Sequence, residues 1–127
     1  MFAGRACIGS SRFYVDRPIY DEFVKRFSFV ASKVGMGDLR DPNTVIAPII
    51  SDRQRQRVKD HIADAVAKGA TVAAGGEWDG NRCQPTLLTG VTEDMTVCKA
   101  ETFGPVTSIY PIDSYEEALE MANDTAY

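Results

Sequence analysis

Strand-like and helix-like stretches alternate along this chain, and that order favours an α/β architecture with a mostly parallel sheet. Residues 11–16 have the β-branched and aromatic content of a short strand. Arg17-Pro18 then opens a helix, because proline suits the first helical turn. Ile19, Phe23, Phe27, Val30 and Val34 recur at helical spacing and predict its buried face, with Gly35 and Gly37 ending it. Residues 38–50 read as a Pro-containing connection. Ser51 and Gln54 have the spacing of a capping box and start a second helix. Its inner face is predicted as Val58, Ile62, Ala65 and Val66, and Gly69 closes it. Residues 70–74 predict a strand ending at Gly75-Gly76, 78–82 a turn, and 84–88 a further strand. The strongest strand signal is 106–112, with Pro111 placing its end near an edge or exit. Ser114 and Glu117 form another capping box, for a helix over 115–123 that packs through Ala118, Leu119 and Ala122.

A chain of 127 residues has room for one domain and one modest core, and no linker or internal repeat divides residues 1–127. At 44% hydrophobic and 25% charged, its composition favours a folded, soluble chain over a disordered one. Acids and bases are interleaved at a net charge of −4. That argues against a nucleic-acid partner, which requires a concentrated basic face. No stretch approaches the roughly 18 apolar residues of a membrane span, so no membrane partner is expected. The first residues also lack the apolar run of a secretory signal. Three cysteines (Cys7, Cys83, Cys98) form no CxxC pair, and with the single His61 they provide too few closely spaced ligands for a metal site. Free thiols in a cytoplasmic setting are the expectation.

Two stretches carry chemistry. The first is Gly4-Arg5-Ala6-Cys7-Ile8-Gly9-Ser10-Ser11-Arg12. A cysteine thiolate can attack an aldehyde carbon, and the acyl-thioester that follows oxidation stays open to hydrolysis. The small neighbours let substrate and backbone approach closely, and the Cys7 N–H could help to hold an oxyanion. Alone, such a cysteine is more often just a buried side chain. The second stretch is Glu101-Thr102-Phe103-Gly104-Pro105-Val106, in which a carboxylate, able to accept from a vicinal diol, stands beside an aromatic and a Gly-Pro turn. Alone, it reads as an exposed loop acid and a packed turn.

Together, in this order, the two resemble the C-terminal part of the catalytic domain of an NAD(P)-dependent aldehyde dehydrogenase. Gly4, Cys7 and Arg12 match the family's Gly-Gln-x-Cys pattern with its following arginine, although Arg5 stands where glutamine is usual. Ala67-Lys68-Gly69-Ala70 with Gly75-Gly76, Pro85-Thr86-Leu87, Asp94-Met95 and the closing Asn123-Asp124-Thr125-Ala126-Tyr127 resemble further family segments. Ala100 replaces the second acid common before the glutamate, and Ala47-Pro48 stands where Gly-Pro is usual. The resemblance implies that Cys7 is the nucleophile, that Glu101 accepts from the nicotinamide ribose hydroxyls of NAD or NADP, and that Phe103 packs near the nicotinamide. It also implies a small-molecule aldehyde as substrate and a homo-oligomer. The 41–46 loop and Ile19-Tyr20-Asp21-Glu22-Phe23 resemble the benzaldehyde, salicylaldehyde and vanillin dehydrogenase branch, which leans the substrate towards aromatic aldehydes.

The family's activating glutamate, oxyanion-stabilising asparagine and dinucleotide-binding sheet lie upstream of the nucleophile and have no counterpart in this sequence. The chain is therefore expected to be part of a catalytic domain and inactive in isolation. Two rival readings stay open, a non-catalytic remnant acting through association and a cysteine-dependent esterase using Cys7 alone. His61 reads as structural or solvent-facing. Arg53, Arg55 and Arg57 read as a solvated helix face, Cys83 and Cys98 as incidental, and Gly75-Gly76 lacks the context of a phosphate loop.

Overall fold

The computed structural model describes residues 4, 6, 8–38 and 40–125. Its elements are β1 (Arg12–Asp16), α1 (Arg17–Ser32), α2 (Asp52–Ala67), β2 (Thr71–Ala74), β3 (Trp78–Asp79), β4 (Arg82–Cys83), β5 (Thr86–Thr89), α3 (Thr96–Lys99), β6 (Val106–Ile112) and α4 (Tyr115–Asn123). Four strands form a sheet in the order β1-β6-β5-β2. β1 and β5 both run parallel to β6, and β2 is antiparallel to β5, so the sheet is mixed but mostly parallel. The expected turn at 78–82 is a β3–β4 hairpin whose Gly80 takes a φ of 57°.

Alternation along the strands splits the core between the two faces of the sheet. Phe13, Val15, Leu87 and Ile109 pack on one face with Tyr20, Phe23, Val24, Phe27 and Ala31 of α1. Tyr14, Leu88, Val106 and Tyr110 belong to the cluster on the other face, with Val58, Ile62 and Ala65 of α2 and Met121 of α4. The chain thus becomes a helix–sheet–helix sandwich. Arg12 ties its ends together by donating to the carbonyls of Met121 (3.1 Å) and Ala122 (3.2 Å), where α4 leaves carbonyls without helical partners.

Three expected helix faces need correction. On α1, Ile19 and Val30 are 57% and 58% exposed. The buried stripe is centred on Tyr20, Phe27 and Ala31, and Ile19 and Val30 fall roughly 80–100° from that centre at 3.6 residues per turn. The helix ends at Ser32, so Val34 lies past it. On α2, Val66 is exposed and His61 takes the buried place on the other flank of Val58. On α4, Leu119 and Ala122 face solvent while Met121 reaches the core. β6 is central in the sheet, yet its pairing with β5 stops at Ile109, so Pro111 sits where only β1 is alongside and its missing N–H breaks no ladder bond to β5.

Candidate active site

Parallel pairing places the segments that lead into β1 and β6 at the same end of the sheet. Ser108 donates from its amide to the Ser11 carbonyl at 2.9 Å, just where the two strands begin to run together. Before that point the two backbones touch. Gly4 has a φ of 72°, and a Cβ there would stand 1.9 Å from the Gly104 carbonyl oxygen. Gly104 is pressed from its other side, where a Cβ would lie 2.6 Å from a methyl of Val58 on α2. Neither position tolerates a side chain without displacement. The Gly9 amide donates to the Ala6 carbonyl at 2.8 Å, closing a tight turn in the first stretch. Cys7 itself, with Arg5, lies outside the described residues.

In the 101–105 loop, Glu101 is exposed, Thr102 and Phe103 are half-buried, and Gly104 and Pro105 are buried. The Pro105 carbonyl accepts from the Thr86 amide at 2.7 Å, anchoring the loop to the start of β5. Phe103 is the one non-glycine among the described residues with a positive φ, at 53°. Such a conformation crowds the Cβ of an L-residue and needs support from its surroundings.

That support comes from α2. The Gln54 side-chain amide donates to the carbonyls of Thr102 (2.8 Å) and Phe103 (3.0 Å). The Arg57 guanidinium donates to the Glu101 carbonyl. His61 Nδ1 lies 3.0 Å from Thr102 Oγ1. Burial is the main influence holding the His61 imidazole below its ordinary pKa; Arg57 adds to it, against the smaller pull of Asp60 and Asp64.

The sequence places Glu101 and Phe103 on this loop but misses what holds it. Ser51 does cap α2, accepting from the Gln54 amide at 3.3 Å, yet the Gln54 side chain turns to the loop instead of closing the box. Arg57 is committed to a carbonyl, and His61 is 8% exposed with a polar partner. The spacing of 54, 57 and 61 on one helix face is the signal that could have exposed this group. Cys83 is wholly buried, and burial pushes its thiol up to about 11, which makes it a poor nucleophile. Among the described residues no group of His, Cys, Asp and Glu could hold a metal ion, and no helix is long and apolar enough to cross a membrane.

A mostly parallel sheet whose two N-terminal loops meet, one flanking a cysteine and the other carrying Glu-x-Phe-Gly-Pro, defines a recognisable class. The aldehyde dehydrogenase family model matches residues 1–127, and the chain belongs to that family. It is 42% identical to the mitochondrial succinate-semialdehyde dehydrogenase of Rattus norvegicus, across 95% of this chain and 24% of the relative. It is 40% identical to the NADP(+) succinate-semialdehyde dehydrogenase 2 of Schizosaccharomyces pombe, across 96% of this chain and 26% of the relative. The NAD+ complex of an aldehyde dehydrogenase from Bacillus cereus superposes with a TM-score of 0.93 at 40% identity, over 98% of this chain and 26% of that one. The chain spans about a quarter of the length of the curated relatives it matches.

Proposed function

We propose that residues 1–127 serve as part of the catalytic domain of an enzyme that oxidises an aldehyde to a carboxylic acid with NAD or NADP, and that this segment supplies the nucleophile and the nicotinamide end of the site. Cys7 attacks the aldehyde carbon as a thiolate, giving a thiohemiacetal, and the thioester formed on oxidation is released by water. Bound NAD or NADP supplies the hydride acceptor. The observation that carries this reading is the backbone contact of Gly4 with Gly104, because Gly4 lies three residues before Cys7 in sequence and Gly104 directly follows Phe103.

The residues present suit a nicotinamide ribose. Glu101 presents a carboxylate from an exposed position, and a carboxylate can accept from both hydroxyls of a vicinal diol. Phe103, half-buried and held by its backbone, offers an aromatic surface with little freedom to move away. Glu101 and Phe103 would therefore hold the nicotinamide end. Cys7 needs a base and an oxyanion donor from outside this segment, so the isolated chain is without meaningful dehydrogenase activity.

The substrate class to test first is a semialdehyde, because similar relatives are named for succinate semialdehyde and 2-hydroxymuconic semialdehyde. Aromatic aldehydes form the second class, on the residues of the 41–46 loop. A homo-oligomeric, cytoplasmic enzyme completes the reading. Sequencing the native locus on both sides of the segment tests it. An in-frame upstream sequence with a Gly-rich strand–turn–helix unit and a Glu-Leu-Gly-Gly motif is the expected result. A stop codon just before Met1 would instead favour a remnant without dehydrogenase function.

A further inference from the structure

We infer that Gln54 and His61 are positioning residues, which hold the Thr102–Phe103 pair in its left-handed turn and thereby aim Glu101 and Phe103. The role in catalysis rests on the reading of this loop as the nicotinamide end, while the clamp itself is a matter of geometry.

Phe103 sits at a φ of 53°, where an L-residue is disfavoured, and Thr102 precedes it with no regular ladder to fix its peptide groups. A loop in that state relaxes unless something outside it fixes its carbonyls. Gln54 does so with one amide nitrogen shared between two consecutive carbonyls, at 2.8 and 3.0 Å. His61 fixes the side chain between them, with Nδ1 at 3.0 Å from Thr102 Oγ1. Gln54 and His61 are seven positions apart, two turns along one helix face, and Arg57 between them holds the Glu101 carbonyl. Three consecutive residues of the loop are thus pinned by three side chains of a single rigid element.

The cap of α2 does not require this arrangement. The Gln54 backbone amide already satisfies Ser51, so its side chain contributes to the loop alone. His61 is also more than a filler of the core, since its buried imidazole meets the one hydroxyl that the Glu-x-Phe motif carries. The identity of that middle residue therefore matters through its hydroxyl.

The test uses the full chain labelled with 15N and 13C, and reads the φ of Phe103 from its scalar couplings and 13C shifts. In the unaltered chain Phe103 is expected in one left-handed state. Gln54→Ala and Thr102→Val should each lose that positive φ, moving Phe103 into or averaging it with the ordinary region, while the signals of α2 and β6 stay in place. Thr102→Ser, which keeps the hydroxyl, should restore it. An unchanged Phe103 φ in Gln54→Ala and Thr102→Val would overturn the proposal. So would a loss of α2 and β6 signals together with the loop, which would make these residues merely structural. Because the readout is a backbone angle and not turnover, a failed clamp and a failed dehydrogenase assignment give separate results.

Discussion

Gly4 and Gly104 lie at opposite ends of the sequence and in backbone contact in the fold, the Cβ position of one 1.9 Å from the carbonyl oxygen of the other. The parallel pairing of β1 with β6 brings their loops to one end of the sheet, and two missing side chains let them close. Gly4→Ala combines a clash with an L-residue at a φ of 72°. It should destabilise the chain by about 1–3 kcal/mol. Gly69→Ala, at a φ of 104° with nothing within 4 Å of the new methyl, carries the backbone strain alone and should cost less. Urea unfolding of the two variants checks the order; equal midpoints would contradict the loop contact.

Asp64 acts as a cap from outside α3. Its carboxylate accepts from the Thr96 amide at 2.7 Å, where Met95 offers no capping side chain, and pairs with Lys68 at 2.8 Å. The hydrogen bonds from Lys68 and Thr96 hold its pKa down to about 2. The folded state thus favours the ionised form, and the resulting stability is present above the unfolded value near 3.8 and is lost as pH falls through about 2. Asp64→Asn should lower the melting temperature at neutral pH, and the gap to the unaltered chain should close on acidification across that window. A gap independent of pH would count against the capping role.

His61 gives a second pH dependence. With its pKa below the ordinary 6.5, the folded state binds the proton more weakly than the unfolded chain. Its contribution is complete above pH 6.5 and declines as pH falls from there through the lowered folded value. Titration of the single imidazole by NMR should place the midpoint below 6.5. A midpoint at or above that value would mean that the pull of Asp60 and Asp64 outweighs burial and Arg57.

The correction to α1 is open to the same kind of check. Phe27 packs against the rings of Phe13 and Phe23, at centroid distances of 5.3 and 5.6 Å, whereas Val30 is 58% exposed. Phe27→Ala, which removes a half-buried ring from this cluster, should cost about 1–3 kcal/mol and Val30→Ala less than about 0.5 kcal/mol. Similar losses from both would restore the sequence-based face.

Much of this fold is written in local signals. β6 and α4 fall where the strand signal of 106–112 and the Ser114–Glu117 box place them, because both elements are set by their own residues. The helix faces are less legible. Ile19 and Val66 are apolar and correctly spaced for burial, but which flank of a helix meets the sheet depends on partners distant in sequence. The Glu101-x-Phe103-Gly104-Pro105 motif stands out through its resemblance to a family segment, because its residue types alone fit an exposed acid beside a packed turn equally well. Its support does not stand out, because Gln54 also fits a capping box, Arg57 a wet surface and His61 a helix interior, and only the packing of α2 on the 101–103 loop decides between these uses.

The most direct measurement is turnover by the product of the uninterrupted native reading frame that contains this segment, with NAD or NADP and succinate semialdehyde. Cys7→Ala should reduce NADH or NADPH formation by about a thousandfold or more, because the nucleophile is lost from a unit whose members act together. Cys83→Ala, which removes a buried thiol remote from any nucleophilic role, should leave the rate constant largely intact in enzyme that folds. Undiminished turnover in Cys7→Ala would contradict the assignment of this segment as the carrier of the nucleophile.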